Sequence, residues 1–336
     1  MGILFNVLLA GLIMVLLLPK ETARTLGDRD IQQIDNEIRL FFVGDIMLGR
    51  QVAVINKNIL DYNFKYWDDI VARFPQADLT IGNLEGPITE RAIQSKKTIQ
   101  FRFDPKVARQ LKQFGFDGFS LANNHTYDQG KLGAIETRTT LGKEDLFYFG
   151  DEYTEDKDVS VKIVKIKNIK IAFVGFNATE DGRGDCVRPQ KAQSCVSMQR
   201  RVNIIKFLKP KANHIIVLLH WGVEYQELKF SKNQQALGHT LVDAGADAII
   251  GTHPHVVQPL EIYKDKPIFY SLGNFIFDQY WSKPTQKGLV VGLTIAEDGT
   301  VSWSLIPITS IRSVPQLMEK DEEKIWLKHF HRASIL

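Results

Sequence analysis

The chain has 336 residues, 44% hydrophobic and 24% charged, which is enough to bury one large core or two modest ones. Its formal net charge is only +3, from 42 basic and 39 acidic residues. No basic block with interleaved aromatics occurs, so the composition carries no nucleic-acid footprint.

The first element is apolar on every face. Residues 2–18 (GILFNVLLAGLIMVLLL) carry no charge, Pro19 ends the run, and Lys20, Glu21 and Arg24 follow. This length is short for a membrane span and long for the apolar part of a signal peptide, so residues 1–19 are expected to be a hydrophobic signal or a membrane anchor. No clean small-x-small cleavage site follows, which leans toward an anchor. The basic residues lie after the run and none before it, and taken alone the positive-inside rule leaves the following domain in the cytoplasm. Residues 20–37 are polar and charged and read as a linker.

A domain is expected over residues 38–315. IRLFFVGD, from Ile38, is a nearly continuous apolar run, as in a strand buried on both faces. The pattern returns in ADLTIGNLE, FDGFSLANNH, IKIAFVGFN, NHIIVLLHWG, ADAIIGTHPH and KPIFYSLGNF. Helical patterns at Lys106–Phe114, Leu132–Leu141, Val196–Leu208 and Gln234–Ala244 lie among them, and this alternation predicts α/β layers. Beyond about residue 255 short turns such as YKDKP and AEDGT predict antiparallel pairing. Cys186 and Cys195 are the only cysteines; in an oxidising compartment they are expected to close a short loop, contributing roughly 2–3 kcal/mol. Residues 316–336 are expected to be a C-terminal tail.

Nearly every predicted strand ends in groups able to bind metal or move a proton: Gly44-Asp45, Asn83-Leu84-Glu85, Asn123-Asn124-His125, His220-Trp221-Gly222 and His253-Pro254-His255. Ligands of open α/β sheets bind beyond the carboxyl ends of the strands. Asp45, Glu85, Asn124, His220, His253 and His255 are the candidate metal ligands. They offer oxygen and imidazole nitrogen without thiolate, a set suited to manganese, iron or zinc. Their number exceeds the need of one tetrahedral ion and matches two ions about 3.5–4 Å apart with a bridging carboxylate. In an extended segment His253 and His255 point to opposite faces, so a turn at Pro254 must converge them or divide them between ions. Asp128 either orients His125 or caps the helix from Lys131. Glu224 and Tyr225 either line a substrate groove or form an amphipathic surface. Arg50 either meets an anionic substrate or makes a surface salt bridge. Asn274 and Asp278 are expected to hold the far wall of the site by hydrogen bonds, with Asn274 also a substrate-binding candidate.

The order of these motifs resembles that of the calcineurin-like metallophosphoesterases, which carry Asp-x-His, Gly-Asp, Gly-Asn-His-Asp/Glu, a lone His and Gly-His-x-His at strand ends. Closer still, GDIMLGR, NLEGPIT, LANNHTYDQG, HWGVEY, GTHPHVVQPLE and YSLGNFIFDQ resemble the signature blocks of the CapA family of poly-γ-glutamate capsule proteins, over residues 38–282. The resemblance implies a metallophosphatase-like, layered β-sandwich flanked by helices. It implies Asp45, Glu85, Asn124, His220, His253 and His255 as ligands of one or two divalent ions, with His125 as an acid outside the coordination sphere and Asp128 beside it. Met47 stands where the phosphoesterases place a histidine ligand, which is expected to leave one ion short of ligands. The resemblance also implies an extracytoplasmic domain, anchored or secreted, that works with an anionic polymer such as poly-γ-glutamate, a membrane and other capsule-synthesis subunits. Two functions follow: a metal-dependent hydrolase or transferase on an anionic polymer or phosphoester, or a non-catalytic subunit that holds the polymer during synthesis or export.

Overall fold

Alternation in the first strand divides its side chains between two cores. In β1 (Ile38–Ile46), Ile38, Leu40 and Phe42 enter one apolar cluster while Phe41 and Val43 enter another. A strand of period two that is apolar at every position must be covered on both faces. A computed structural model of the chain describes residues 37–57, 70, 73–93, 97–150, 161–179 and 197–336. The apolar run 1–19, the linker up to residue 36, Cys186 and Cys195 lie outside the described residues. Among the described residues no helix is long and apolar enough to cross a membrane.

After β1 the chain runs through α1 (Arg50–Lys57), β2 (Leu79–Leu84), α2 (Lys106–Gln113), β3 (Gly118–Ser120), α3 (Gly130–Lys143) and β4 (Phe147–Phe149). A second series follows: β5 (Val161–Ile166), β6 (Ile169–Thr179), α4 (Met198–Leu208), β7 (His214–Gly222), α5 (Lys232–Ala244) and β8 (Ala248–Thr252). The chain closes with β9 (Val257–Tyr263), β10 (Lys266–Leu272), β11 (Asn274–Ile276), β12 (Lys287–Ile295), β13 (Val301–Ile311), β14 (Val314–Leu317) and α6 (Lys320–Ala333).

These strands make two sheets. One is eight-stranded in the order β14-β13-β12-β1-β2-β3-β4, with β11 pairing β1. The other is six-stranded, β5-β6-β7-β8-β10-β9. The strands leading into the polar motifs run parallel, and β9/β10, β12/β13 and β13/β14 are antiparallel, as the short turns predict. Phe42, Ile81, Phe173, Ile216, Ile250 and Leu293 form the core between the sheets. Helices α1–α3 cover the outer face of the first sheet, and α4 and α5 that of the second. The result is the helix-flanked, layered sandwich expected from the sequence.

Residues 316–336, expected as a tail, are packed into the domain. Trp326 and Phe330 of α6 sit in the inter-sheet core, ring centroids 5.3 Å apart, and Ile335 exchanges backbone hydrogen bonds with Leu260 and Ile262 of β9. The helix is charged nearly all round, and only Trp326 and Phe330 are buried, so its apolar stripe is narrow. Phe330→Ala is expected to lower stability to urea unfolding by about 3 kcal/mol; a loss under about 0.5 kcal/mol would show that the segment is a loose tail after all.

Candidate metal centre

The parallel strands of both sheets deliver their carboxyl ends to one cleft. Gly44 lets β1 reach it: a Cβ there would lie 1.9 Å from the Gly273 carbonyl oxygen, and the same approach allows the Asp45 N–H to donate to that oxygen at 3.0 Å. Asp45 is fully buried. Its Oδ1 accepts from Asn83 Nδ2 (2.7 Å) and its Oδ2 from the His253 backbone N–H (3.1 Å). Asn83 is fixed in turn by Asn123, whose Nδ2 donates to Asn83 Oδ1 (3.2 Å) and to the Leu84 carbonyl (2.8 Å).

Glu85 follows β2 and is also fully buried. Among the described residues neither of its oxygens receives a hydrogen bond; Oε1 stands 3.8 Å from His125 Nε2 and 3.9 Å from His255 Nε2. Burial, then the charges of Asp45 and Glu224, push its carboxyl well above the usual range. A buried carboxylate without donors, facing a second carboxylate, is costly unless a cation balances it.

The histidines supply the other donors. His220, at the end of β7, places Nε2 3.0 Å from Asn124 Oδ1 and Nδ1 3.1 Å from Thr252 Oγ1. Its ring lies 4.7 Å from that of His253. Burial, then neighbouring histidines, hold His220 and His253 well below the ordinary imidazole range, so both are neutral and have a lone pair to give. His253 and His255 converge because both have left-handed backbone, at φ 96° and 58°. Such residues cost of order 1–3 kcal/mol each and persist where the surroundings impose them. Asn274 Oδ1 meets His255 Nδ1 at 3.0 Å, leaving Nε2 directed toward Glu85.

Asp45, Glu85 and His220 each offer a ligand atom within 4.8 Å of the others, and so do Glu224, His253 and His255. The donor set fits a hard or borderline divalent metal, and the bare Glu85 carboxylate supports that fit. The expected ligands Asp45, Glu85, Asn124, His220, His253 and His255 are thus brought to one place.

His125 occupies the wall beside this cluster. Its Nδ1 lies 2.6 Å from Asp128 Oδ2 and its ring stacks on Phe101 at 4.0 Å. Burial pulls it down to about 4 against the opposing pull of Asp128. Asp128 itself is buried. It accepts from the Phe101 N–H (2.7 Å) and from Lys97 Nζ (2.6 Å), which holds it behind the His125 ring. Lys97, which the sequence motifs did not single out, also donates to the Asn124 carbonyl (2.9 Å) and thereby ties both halves of the Asn-His pair together. Lys97→Met is expected to lower turnover about tenfold while leaving metal stoichiometry intact, because outer partners orient rather than ligate. Unchanged turnover would remove Lys97 from this role.

The three substrate-binding candidates Asn274, Arg50 and Glu224 are each engaged by neighbours. Asn274 is not free for substrate: its amide donates to Gln279 Oε1 (3.0 Å) and the Thr285 carbonyl (2.9 Å), and its oxygen serves His255. Arg50 makes a two-pronged ion pair with Asp278 and lies over the Phe101 ring at 5.0 Å, behind His125. Glu224 does not merely line a groove, since its carboxylate reaches the His253 and His255 rings. Met47 is fully buried in the outer core of the first sheet, its sulfur accepting from the Gly49 N–H at 3.1 Å.

Residues 39–279 match the family model described as "Bacterial capsule synthesis protein PGA_cap". The chain is 32% identical to the "PGA biosynthesis protein CapA" of Bacillus subtilis over 86% of its own length and 76% of that protein's. It is 31% identical to the "Capsule biosynthesis protein CapA" of Bacillus anthracis over 87% and 72% of the two chains. A crystal structure described as a novel phosphatase from Mycoplasma pneumoniae superposes with a TM-score of 0.53 at 16% identity, covering 82% of this chain and 94% of the other. The fold is metallophosphatase-like.

Proposed function

The chain belongs to the bacterial capsule synthesis protein family that includes the CapA proteins, and from that premise we propose that it is a metal-dependent hydrolase or transferase acting on an anionic polymer of the poly-γ-glutamate type, or on a phosphoester, outside the cytoplasmic membrane. Manganese, iron or zinc, as one or two ions, is the cofactor in this reading. The observation that carries it is the buried Glu85 carboxylate without a hydrogen-bond donor, facing Asp45 and three histidines.

A bound divalent ion supplies Lewis acidity toward a phosphoryl or amide carbonyl oxygen. The chain's own residues do the rest. Asp45, Glu85, Asn124, His220, His253 and His255 would hold the cation. Asn83 and Asn123 fix Asp45, and Asn274 fixes His255. In the neutral His125 ring the Asp128 carboxylate takes the Nδ1–H, so Nε2 carries a lone pair into the cleft. An anionic substrate arriving beside it favours the imidazolium, whose Nε2–H is then available to the leaving group. Residues 1–19 tether or export the domain, and other capsule-synthesis subunits present the polymer.

The test is an assay of the purified, manganese-loaded chain on poly-γ-glutamate and on a panel of phosphoesters. Polymer shortening, transfer or ester cleavage that a chelator abolishes is expected. Tight polymer binding without turnover would favour a non-catalytic polymer-holding subunit, and neither binding nor turnover would overturn the assignment.

A further inference from the structure

We propose that Glu224 is a metal ligand, holding a divalent ion on the open side of the cleft together with His253 and His255, apart from the buried position made by Asp45, Glu85 and His220. The proposal rests on the reading of the cleft as a metal centre and adds a residue and a second position to it.

The first observation is reach. One oxygen of Glu224 and one ring nitrogen each of His253 and His255 lie within 4.8 Å of one another. Ligands on opposite sides of one ion stand about 4 Å apart, since carboxylate and imidazole bonds are about 2.0–2.2 Å each. A small closure of the loop is enough.

The second is how the loop is held. Gly222 ends β7 at φ 85°, where any Cβ would meet the Gln234 side chain at 2.5 Å. The turn throws residues 223–225 across the cleft. There the Tyr225 N–H donates to the Pro254 carbonyl at 2.8 Å, and the Tyr225 ring lies 6.0 Å from that of His255. The Tyr225 hydroxyl accepts from Gln279 Nε2 at 3.3 Å and also bonds the Glu224 carboxylate. Glu224 is therefore pinned to the very turn that carries both histidines, with an outer partner orienting it as ligand carboxylates require.

The third is charge. Glu224 adds a third carboxylate to a cleft that already holds Asp45 and Glu85. The neighbouring cations are engaged elsewhere, Lys97 with Asp128 and Arg50 with Asp278. A single ion between Asp45, Glu85 and His220 leaves the Glu224 carboxylate, held by the Tyr225 hydroxyl, opposite two imidazoles; a second ion accounts for it. Glu224 is half-buried while Asp45, Glu85 and His220 are fully enclosed, so the Glu224 ion is the more readily exchanged of the two.

The test is a manganese titration of the full chain, following loss of the free-ion electron paramagnetic resonance signal and binding heat in parallel. Wild-type protein is expected to bind two equivalents. Glu224→Gln should keep the first within about threefold and weaken the second at least about 100-fold, since loss of a ligand exceeds the 10–100-fold cost of losing an outer partner. Thermal melting of the metal-free variant checks its folding. Should Glu224→Gln fail to fold, Glu224→Asp, which keeps the charge but shortens the reach, must weaken only the second equivalent. Two equivalents bound by Glu224→Gln with wild-type affinity overturn the proposal alone. So does a wild type that binds a single ion which the variant keeps. A wild type that binds no ion overturns it together with the metal reading beneath it.

Discussion

Replacing His125 with alanine is expected to lower turnover by about 10²–10⁴-fold, the usual contribution of a positioned acid or base, and to leave metal stoichiometry unchanged. The separation follows from geometry. His125 presents Nε2 toward Glu85 at 3.8 Å, while its Nδ1 is committed to Asp128 and its ring face to Phe101. It stands beside the ligand cluster without belonging to either group of converging donors. Asn124→Ala has the opposite signature, because the Asn124 oxygen points at the His220 ring and its loss weakens metal binding. Metal analysis and initial rates on the two variants check the contrast. If His125→Ala sheds metal as Asn124→Ala does, His125 is a ligand and its role as a proton carrier is wrong.

Glu85→Gln has a double effect of contrary sign. It removes a central ligand and should abolish tight metal binding. It should also stabilise the metal-free fold by about 1–3 kcal/mol, the range found when buried charges are replaced by neutral groups. The wild-type carboxylate is enclosed, lacks donors and faces Asp45, whereas a glutamine amide offers Asp45 a donor. Folding raises the Glu85 carboxyl above its unfolded value. The favourable linkage is therefore fully present below about pH 4.3, the ordinary glutamate value, and is lost as pH rises through the raised one. The advantage of Glu85→Gln should accordingly be absent in acid and largest at neutral to alkaline pH. Thermal unfolding of chelator-treated protein across that range measures it, and a variant less stable than wild type at pH 8 would show that the metal-free site is not strained by this charge.

Much of this centre was legible before any coordinates, for a physical reason. Parallel strands covered on both faces read as unbroken apolar runs, so the abrupt Asp45, Glu85, Asn124-His125, His220 and His253-Pro254-His255 stand out at their ends. The helices expected at Lys106–Phe114 and Gln234–Ala244 from periodicity are found at Lys106–Gln113 and Lys232–Ala244, the second starting earlier because Ser231 and Gln234 form a capping box. What escaped reading depends on chain direction in three dimensions. Glu224 follows Gly222, and nothing in HWGVEY tells that the turn carries its carboxylate back to the Pro254 corner. Asn274 is legible in GNFIFD as a wall residue held by hydrogen bonds, but its particular partners Gln279, Thr285 and His255 depend on where the pairing of β11 with β1 places it. Lys97 lies in a polar stretch without periodicity and gains meaning only from Asp128. Helix α6 was read as a tail because two buried aromatics among many charges leave too narrow a stripe to register.

The central claim is that the strand ends form a divalent-metal centre. Its most direct measurement is an anomalous difference map from crystals of the protein grown with manganese, recorded on both sides of the manganese absorption edge. The account predicts a peak within about 2.5 Å, ordinary ligand distance, of Asp45, Glu85 and His220, with a second, more exchangeable peak at Glu224, His253 and His255. A well-ordered cleft with no anomalous peak at Asp45, Glu85 and His220 would contradict it.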